Sequence, residues 1–311
     1  MKNMKNVVML LLTAFIWGIA FVAQTTGGDA VGAYSFNCVR SFIGALVLFP
    51  VIKFLDSKGL SGDKPETPED KKRLWKAGIL CGICLGSASL FQQVGITMGT
   101  AAGKAGFLTA CYIILVPVIS IFIGKKSAWN IWAAVAITVV GLYLLCINGS
   151  IAIQKSDGLI LICSVLFALQ ILVVDHFVEN TDPVRLSQIQ FLTAGIISFV
   201  MMAIFEIPKT GLSAWLAPFG TWDAWSAILF AGVMSSGVAY TLQIVGQKGF
   251  NPTIASLIMS LESVFSVLAG WAILNQKLSS RELLGCLLVF IAVILAQIPL
   301  NELMEKKKGK C

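Results

Sequence analysis

Charged residues are scarce in this chain. Only 13% of its 311 residues are Asp, Glu, Lys or Arg, whereas 57% are hydrophobic, and the mean hydropathy is +0.85. Soluble domains carry about 25% charged residues, so the shortfall argues against a water-soluble fold and for an integral membrane protein. Histidine is nearly absent as well: His176 is the only one. With no His/Cys cluster at ligand spacing, a metal centre has nothing to be built from, and the missing GxxxxGK[ST] stretch argues against ATP-driven work by this chain alone. The hydrophobic runs show no sustained apolar/polar alternation, which argues against a β-barrel. No catalytic group or cofactor site stands out, so the chain does not read as an enzyme. The net charge of +7 sits mostly in loops and tails and speaks to orientation rather than to nucleic acid. Of eight cysteines, seven lie in apolar runs; Cys81 and Cys84 have redox-pair spacing but read as buried thiols of a hydrophobic helix.

Long hydrophobic runs are what the chain does have. A spanning helix needs about 20 mostly apolar residues, and stretches 7–23, 34–53, 74–94, 102–123, 129–147, 157–175, 187–207, 224–244, 253–274 and 281–300 qualify. Helices satisfy their own backbone groups in hydrocarbon, so the expected fold is an all-α integral membrane bundle of ten transmembrane helices. Pro117 predicts a kink in the fourth, because its ring and missing N–H disturb the preceding turn. The first run follows Met1-Lys2-Asn3-Met4-Lys5 without a clear small-residue cleavage pattern, so it is expected to stay as an uncleaved helix.

The two halves echo each other. Shifted by 151 positions, Gln92 falls on Gln243, Val94-Gly95 on Val245-Gly246, Lys126 on Lys277, Asn37 on Gln188 and Phe54 on Phe205, and the apolar runs coincide throughout. A period this long points to duplication of a bundle rather than to a solenoid. Five helices per repeat is an odd number, so the second repeat is expected to enter the membrane from the opposite face, giving two inverted five-helix repeats. The repeats are expected at 1–148 and 149–301, followed by a basic tail at 302–311. Basic residues favour the cytoplasmic side. Lys2, Lys5, the 54–73 loop, Lys125, Lys126 and Lys306-Lys307-Lys308 therefore place both termini in the cytoplasm of a prokaryotic inner membrane, with Lys104, Lys155, Lys209, Lys277 and Arg281 on the other side.

Polar residues inside the runs are the candidates for function, since ionisable groups there are costly. Arg40 either faces a cavity and attracts a carboxylate-bearing substrate, or reaches the headgroups. Asn37 lies one turn before it on the same face. Glu262 would hold a proton, compensate a cation, or serve packing and gating, and Ser260 and Ser263 belong to a small polar stripe beside it that suits helix contact equally well. Gln92, Gln93, Gln170, Gln188, Gln190 and Gln243 offer hydrogen bonds to a translocation cavity. Trp17 and Tyr112 offer apolar contact there or in the core. His176, beside Asp175 at a helix end, reads as a solvated cap.

Several stretches carry a family resemblance. Phe15-Ile-Trp-Gly18, the segment from Ala102-Gly103 to Phe107, Leu115–Val118 with Gly124-Lys-Lys126, Ser260–Phe265, Asn275–Leu278 and Gly285–Ala296 together resemble the EamA-type transporters of the drug/metabolite transporter superfamily, over nearly the whole chain. Ser263 stands where that family often has Pro, and Asn275-Gln276 where it has Gly-Glu. The resemblance implies secondary transport of small organic metabolites, amino acids or amphipathic compounds among them, by alternating access and often outward. The polar residues of the spans then suggest Arg40, Asn37 and the glutamines as substrate contacts, and Glu262, Ser260, Ser263 and Pro117 as coupling or gating positions. Expected partners are a small organic molecule, membrane lipid and protons. A lipid flippase and a non-transporting membrane scaffold or receptor remain alternatives.

Overall fold

The computed structural model of the chain describes residues 2–100, 102–125, 128–147, 154–274 and 279–298, and every regular element among them is helical. α1 (Lys2–Val31), α2 (Ala33–Ser57) and α3 (Pro68–Thr97) are continuous. The fourth run divides into α4 (Ala102–Ala110) and α5 (Tyr112–Phe122). α6 (Trp129–Cys146), α7 (Lys155–Phe177) and α8 (Pro183–Phe205) are again unbroken, and the short helices α9 (Ile207–Thr210) and α10 (Leu212–Leu216) follow. α11 (Trp222–Leu229) passes through a π-helical segment, Phe230–Ala239, into α12 (Tyr240–Gln247). The ninth run divides into α13 (Pro252–Met259) and α14 (Leu261–Leu274), and α15 (Ser280–Ala296) closes the described part.

Among the described residues, 9 helical stretches are long and apolar enough to cross a membrane. α15, at 17 residues, is the shortest of the ten stretches expected to span. The protein is therefore an all-α, multi-pass membrane bundle. Its outer surface suits acyl chains, with Phe122 85%, Leu46 71% and Ile294 64% exposed. Lys126, Lys277, the Asn275–Leu278 motif and the Lys306–Lys308 tail lie outside the described residues.

The fourth run is interrupted ahead of Pro117. Pro117 sits inside α5 without interrupting it, and the break falls at Cys111. There Cys111 N–H bonds the Leu108 carbonyl and Ile114 N–H bonds the Cys111 carbonyl, each one residue short of the α-helical step. A second break, at Ser260, has the same character: Ser263 N–H bonds the Ser260 carbonyl at 3.2 Å.

Local sequence explains where the helices begin. Three starts share a polar cap followed by proline, whose fixed φ and missing N–H suit the first helical position. Thr67 accepts from Asp70 N–H at 3.1 Å, Asp182 from Val184 and Arg185 N–H at 2.9 Å, and Asn251 from Thr253 N–H at 2.9 Å. Proline follows each cap, at Pro68, Pro183 and Pro252.

Glycine allows a close helix approach. α6 and α15 cross at Gly141 and Gly285: a β-carbon on Gly285 would lie 2.6 Å from the Gly141 carbonyl oxygen and 2.8 Å from Leu145 N. Both neighbours are backbone and cannot swing away.

The bundle is tied at both ends between α2 and α8. At one end Arg185, in the first turn of α8, grips both oxygens of Asp56 at 2.7 Å and its own cap Asp182 at 2.5 Å. Lys125–Asp175 and Lys248–Asp63 ion pairs flank it. At the other end Glu206, just beyond α8, accepts from Tyr34 N–H at 3.1 Å and Ser35 N–H at 2.8 Å, so a side chain from α8 caps α2. Ser35 Oγ also donates to Glu206 and accepts from Trp215 Nε1 at 2.7 Å.

Gly285→Ala should force α6 and α15 apart and destabilise the protein by about 1–3 kcal/mol, the usual range for overpacking. Gly158→Ala, where a β-carbon meets nothing within 4 Å, should leave stability unchanged or raise it. Unfolding temperatures in detergent check the contrast, and equal values for the two variants would refute the close-approach argument.

Candidate functional site

A buried cavity of about 30 Å³ lies at the centre of the bundle. That is space for about two waters. α1 contributes Trp17, Phe21 and Gln24 at helical spacing, and α7 contributes Phe167, Gln170 and Ile171 in the same way. Arg40 comes from α2 and Gln92 from α3. Ser235 comes from the π-helical segment, and Tyr240 and Gln243 from α12. The remaining wall is made at the two helix breaks: Thr109 and Tyr112 flank Cys111, and Met259 and Glu262 flank Ser260.

At each break the backbone takes a tighter, 3₁₀-like step and stays hydrogen-bonded. Glu262 thereby occupies the first turn of α14, where the positive end of the helix dipole favours a carboxylate. Tyr112 donates its O–H to Glu262 Oε1 at 3.3 Å, joining the two broken helices across the cavity wall. Gly18 lets α14 come close enough for this: a β-carbon there would lie 2.6 Å from Phe265 Cβ and 2.8 Å from the Glu262 carbonyl oxygen. The Phe15-Ile-Trp-Gly18 motif is thus one contact surface, with Phe15 edge-on to Phe265 at 5.4 Å. Trp17 meets Tyr240 at 4.5 Å, and Tyr240 stands edge-on to Phe191 at 5.2 Å.

Arg40 is 5% exposed, and its Nε donates to Asn37 Oδ1 at 2.7 Å. Asn37 is held in turn by donating to the Ser89 carbonyl at 3.1 Å. No ion pair among the described residues includes Arg40. A buried guanidinium without a carboxylate is costly, and this one faces the cavity. Two further polar atoms on the wall, Trp17 Nε1 and Gln24 Oε1, are buried without a protein partner. The wall therefore combines unused donors and acceptors with aromatic faces, a lining that suits an amphipathic small molecule.

The sequence-based candidates divide accordingly. Trp17, Arg40, Gln92, Tyr112, Gln170, Gln243 and Glu262 come together on the cavity wall. Asn37 stands behind Arg40. Gln93 turns away to the Gln24 carbonyl at 2.8 Å, and Gln188 reaches the Ala45 carbonyl at 3.2 Å, tying α8 to α2. Ser260 forms the second break, Ser263 is buried near it, and Pro117 packs in the core of α5. Gln24, Thr109, Ser235 and Tyr240 escaped notice. Gln24 could have been found from its spacing with Trp17 and Phe21, and Thr109 from its correspondence with Ser260 under the 151-residue shift.

A family profile described as "EamA-like transporter family" matches residues 4–147 and again residues 154–297. The chain belongs to this family. EamA-like proteins are transporters rather than enzymes, and among the described residues no group of His, Cys, Asp and Glu could hold a metal ion. The chain is 28% identical over 291 residues to an uncharacterized transporter of Archaeoglobus fulgidus, covering 93% of this chain and 84% of that one. It is 23% identical over 293 residues to the uncharacterized transporter YoaV of Bacillus subtilis, covering 92% and 94%. A solved structure described only as "Crystal structure of protein" superposes with a TM-score of 0.76 at 16% identity, covering 96% and 98% of the two chains, which establishes a shared fold. This EamA-like protein is accordingly a secondary transporter of small molecules across a membrane.

Tyr112→Phe keeps the ring packed and deletes only the bond to Glu262. It should cost about 0.5–1.5 kcal/mol, the usual net worth of one hydrogen bond, seen as a lower unfolding temperature in detergent. An unchanged temperature would show that this bond does not hold the two broken helices together.

Proposed function

We propose that this protein carries small carboxylate-bearing metabolites out of the cell across a prokaryotic cytoplasmic membrane, by alternating access around the central cavity. The observation that carries the substrate class is the buried, unpaired guanidinium of Arg40 on the cavity wall. A substrate carboxylate supplies the missing partner, and Arg pairs with carboxylates through two parallel N–H···O bonds. Asn37 holds Arg40 in position. The aromatic faces of Trp17, Phe21, Phe167 and Tyr240 take the apolar part of the molecule. The polar wall and small volume favour a soluble metabolite over a lipid chain.

Movement follows from where the chain is tied. In this reading residues 1–148 and 149–301 are two inverted five-helix halves with both termini cytoplasmic. The Arg185–Asp56 tie closes the cytoplasmic end and the Glu206 cap on α2 closes the other. Release of one tie while the other holds opens the cavity to one side at a time. Glu262 takes up a proton on one side and returns it on the other, which couples flux to a pH gradient.

Purified protein in vesicles should show saturable flux of radiolabelled carboxylates. Arg40→Gln should weaken apparent affinity by about 10- to 100-fold, the loss expected for one charged hydrogen-bonding partner, with the unfolding temperature confirming that the variant folds. Absence of saturable flux for every carboxylate tried would overturn the reading. Glu262→Gln should still bind substrate while its flux becomes indifferent to an imposed pH gradient. Wild-type flux already indifferent to that gradient would remove the proton from the mechanism. Glu206→Gln, which keeps one acceptor oxygen but loses the charge, should expose cavity cysteines introduced at Phe21 to reagents added outside. Asp56→Asn should expose them to reagents from the cytoplasmic side. Identical accessibility in both would contradict two separate gates.

A further inference from the structure

We propose that Gln243 is a specificity-determining residue. Its side-chain oxygen is presented to the cavity as an acceptor for an N–H or O–H group that the transported carboxylate must also carry, and Gln247, which does not line the cavity, is the positioning residue that fixes this orientation. The proposal rests on the carboxylate reading above and adds the second functional group of the substrate.

A glutamine amide donates on one side and accepts on the other, and its neighbours decide which way it points. Here the decision begins at a backbone carbonyl, which can only accept. Gln247 Nε2 donates to the Ile171 carbonyl at 3.3 Å, so its Oε1 must face the other way, toward Gln243. Gln243 Nε2 donates to Gln247 Oε1 at 3.1 Å and to Gln170 Oε1 at 3.0 Å. Gln170 Nε2 then donates to Gln190 Oε1 at 3.0 Å. Turning Gln243 over would set its oxygen against two other oxygens. The four amides therefore share one orientation, set by Ile171.

This arrangement uses the Gln243 amide nitrogen twice and its oxygen not at all. Gln243 lines the cavity and is 1% exposed, and its Oε1 has no protein partner. An unpaired buried acceptor is unfavourable, and a donor on the substrate relieves it. Beside the unpartnered Trp17 Nε1 and Gln24 Oε1, the wall thus asks for an anion for Arg40 and a donor for Gln243. Glu262, on the same wall, also accepts; the Tyr112 O–H engages only its Oε1, so the same substrate donor is shared between Glu262 and Gln243. A carboxylate carrying an ammonium or hydroxyl group meets both demands, and one carrying a carbonyl group in its place sets oxygen against oxygen. Polar sites that lose a required donor commonly discriminate more strongly than apolar pockets do.

Three compounds of one carbon skeleton test this: leucine, 2-hydroxy-4-methylpentanoate and 4-methyl-2-oxopentanoate, titrated calorimetrically into the full-length protein in detergent. The first two should bind at least about tenfold more tightly than the oxo acid. Gln247→Leu, which releases Gln243 to turn over, should reduce that preference to within about threefold while dependence on Arg40 persists. Gln247→Glu, whose protonated carboxyl retains both a donor for Ile171 and an acceptor for Gln243, should preserve it. Equal affinities of wild type for all three would overturn the proposal and leave the carboxylate reading intact. No binding of any of them, alongside no flux of other carboxylates, would overturn both. A preference unchanged in a folded Gln247→Leu would overturn the positioning role of Gln247.

Discussion

Hydrocarbon offers a polar group nothing to bond to, and the interior of this protein is organised by that constraint. Each buried amide or charge must find its partner in the chain or face the cavity. Asn37 is spent on the Ser89 carbonyl and on Arg40; Gln93 is spent on α1, and Gln188 on α2. Trp17 Nε1 and one oxygen each of Gln24 and Gln243 are left over on the cavity wall, beside Arg40, while Gln93 Oε1, Asn130 Oδ1, Gln190 Nε2 and the Ser120, Ser236 and Ser263 hydroxyls are left over elsewhere.

The sequence made the bundle legible because membrane spans announce themselves by length and apolarity, and nearly every expected stretch appears as a helix close to its expected bounds. The interruptions were hidden by the same property. Each break is a single residue inside a long apolar run, so hydropathy averaged over a whole span passes through both. Arg40 and Glu262 were legible as costly charges in apolar runs. Whether a glutamine lines the cavity was not, because Gln92 and Gln93 are adjacent in sequence and differ only in the helix face they present. The family profile added the transport function, which no single residue states.

The two breaks fall close to corresponding positions, since Thr109 matches Ser260 and Cys111 matches Glu262 under the shift that relates the halves. Each break delivers side chains to the cavity from a helix that would otherwise have passed it by. The correspondence is imperfect where it concerns chemistry: a thiol stands opposite the carboxylate, and Phe191 stands where a second arginine would be. Duplication supplied the frame, and divergence between the copies supplied the charges. Similar economy appears in α2 and α8, where each helix has its first turn held by an acid at the far end of the other.

Those two ties are built from different materials. Arg185 and Asp56 attract as full, partly exposed charges, and dissolved ions screen such attraction over about 8–10 Å at ordinary salt. Glu206 is held by amide hydrogens of the main chain, which carry no net charge to be screened and cannot be lost to a side-chain substitution. Dissolved salt therefore loosens the Arg185 tie far more than it loosens the Glu206 cap, so the two ends of the α2–α8 pair respond unequally to the medium that bathes them.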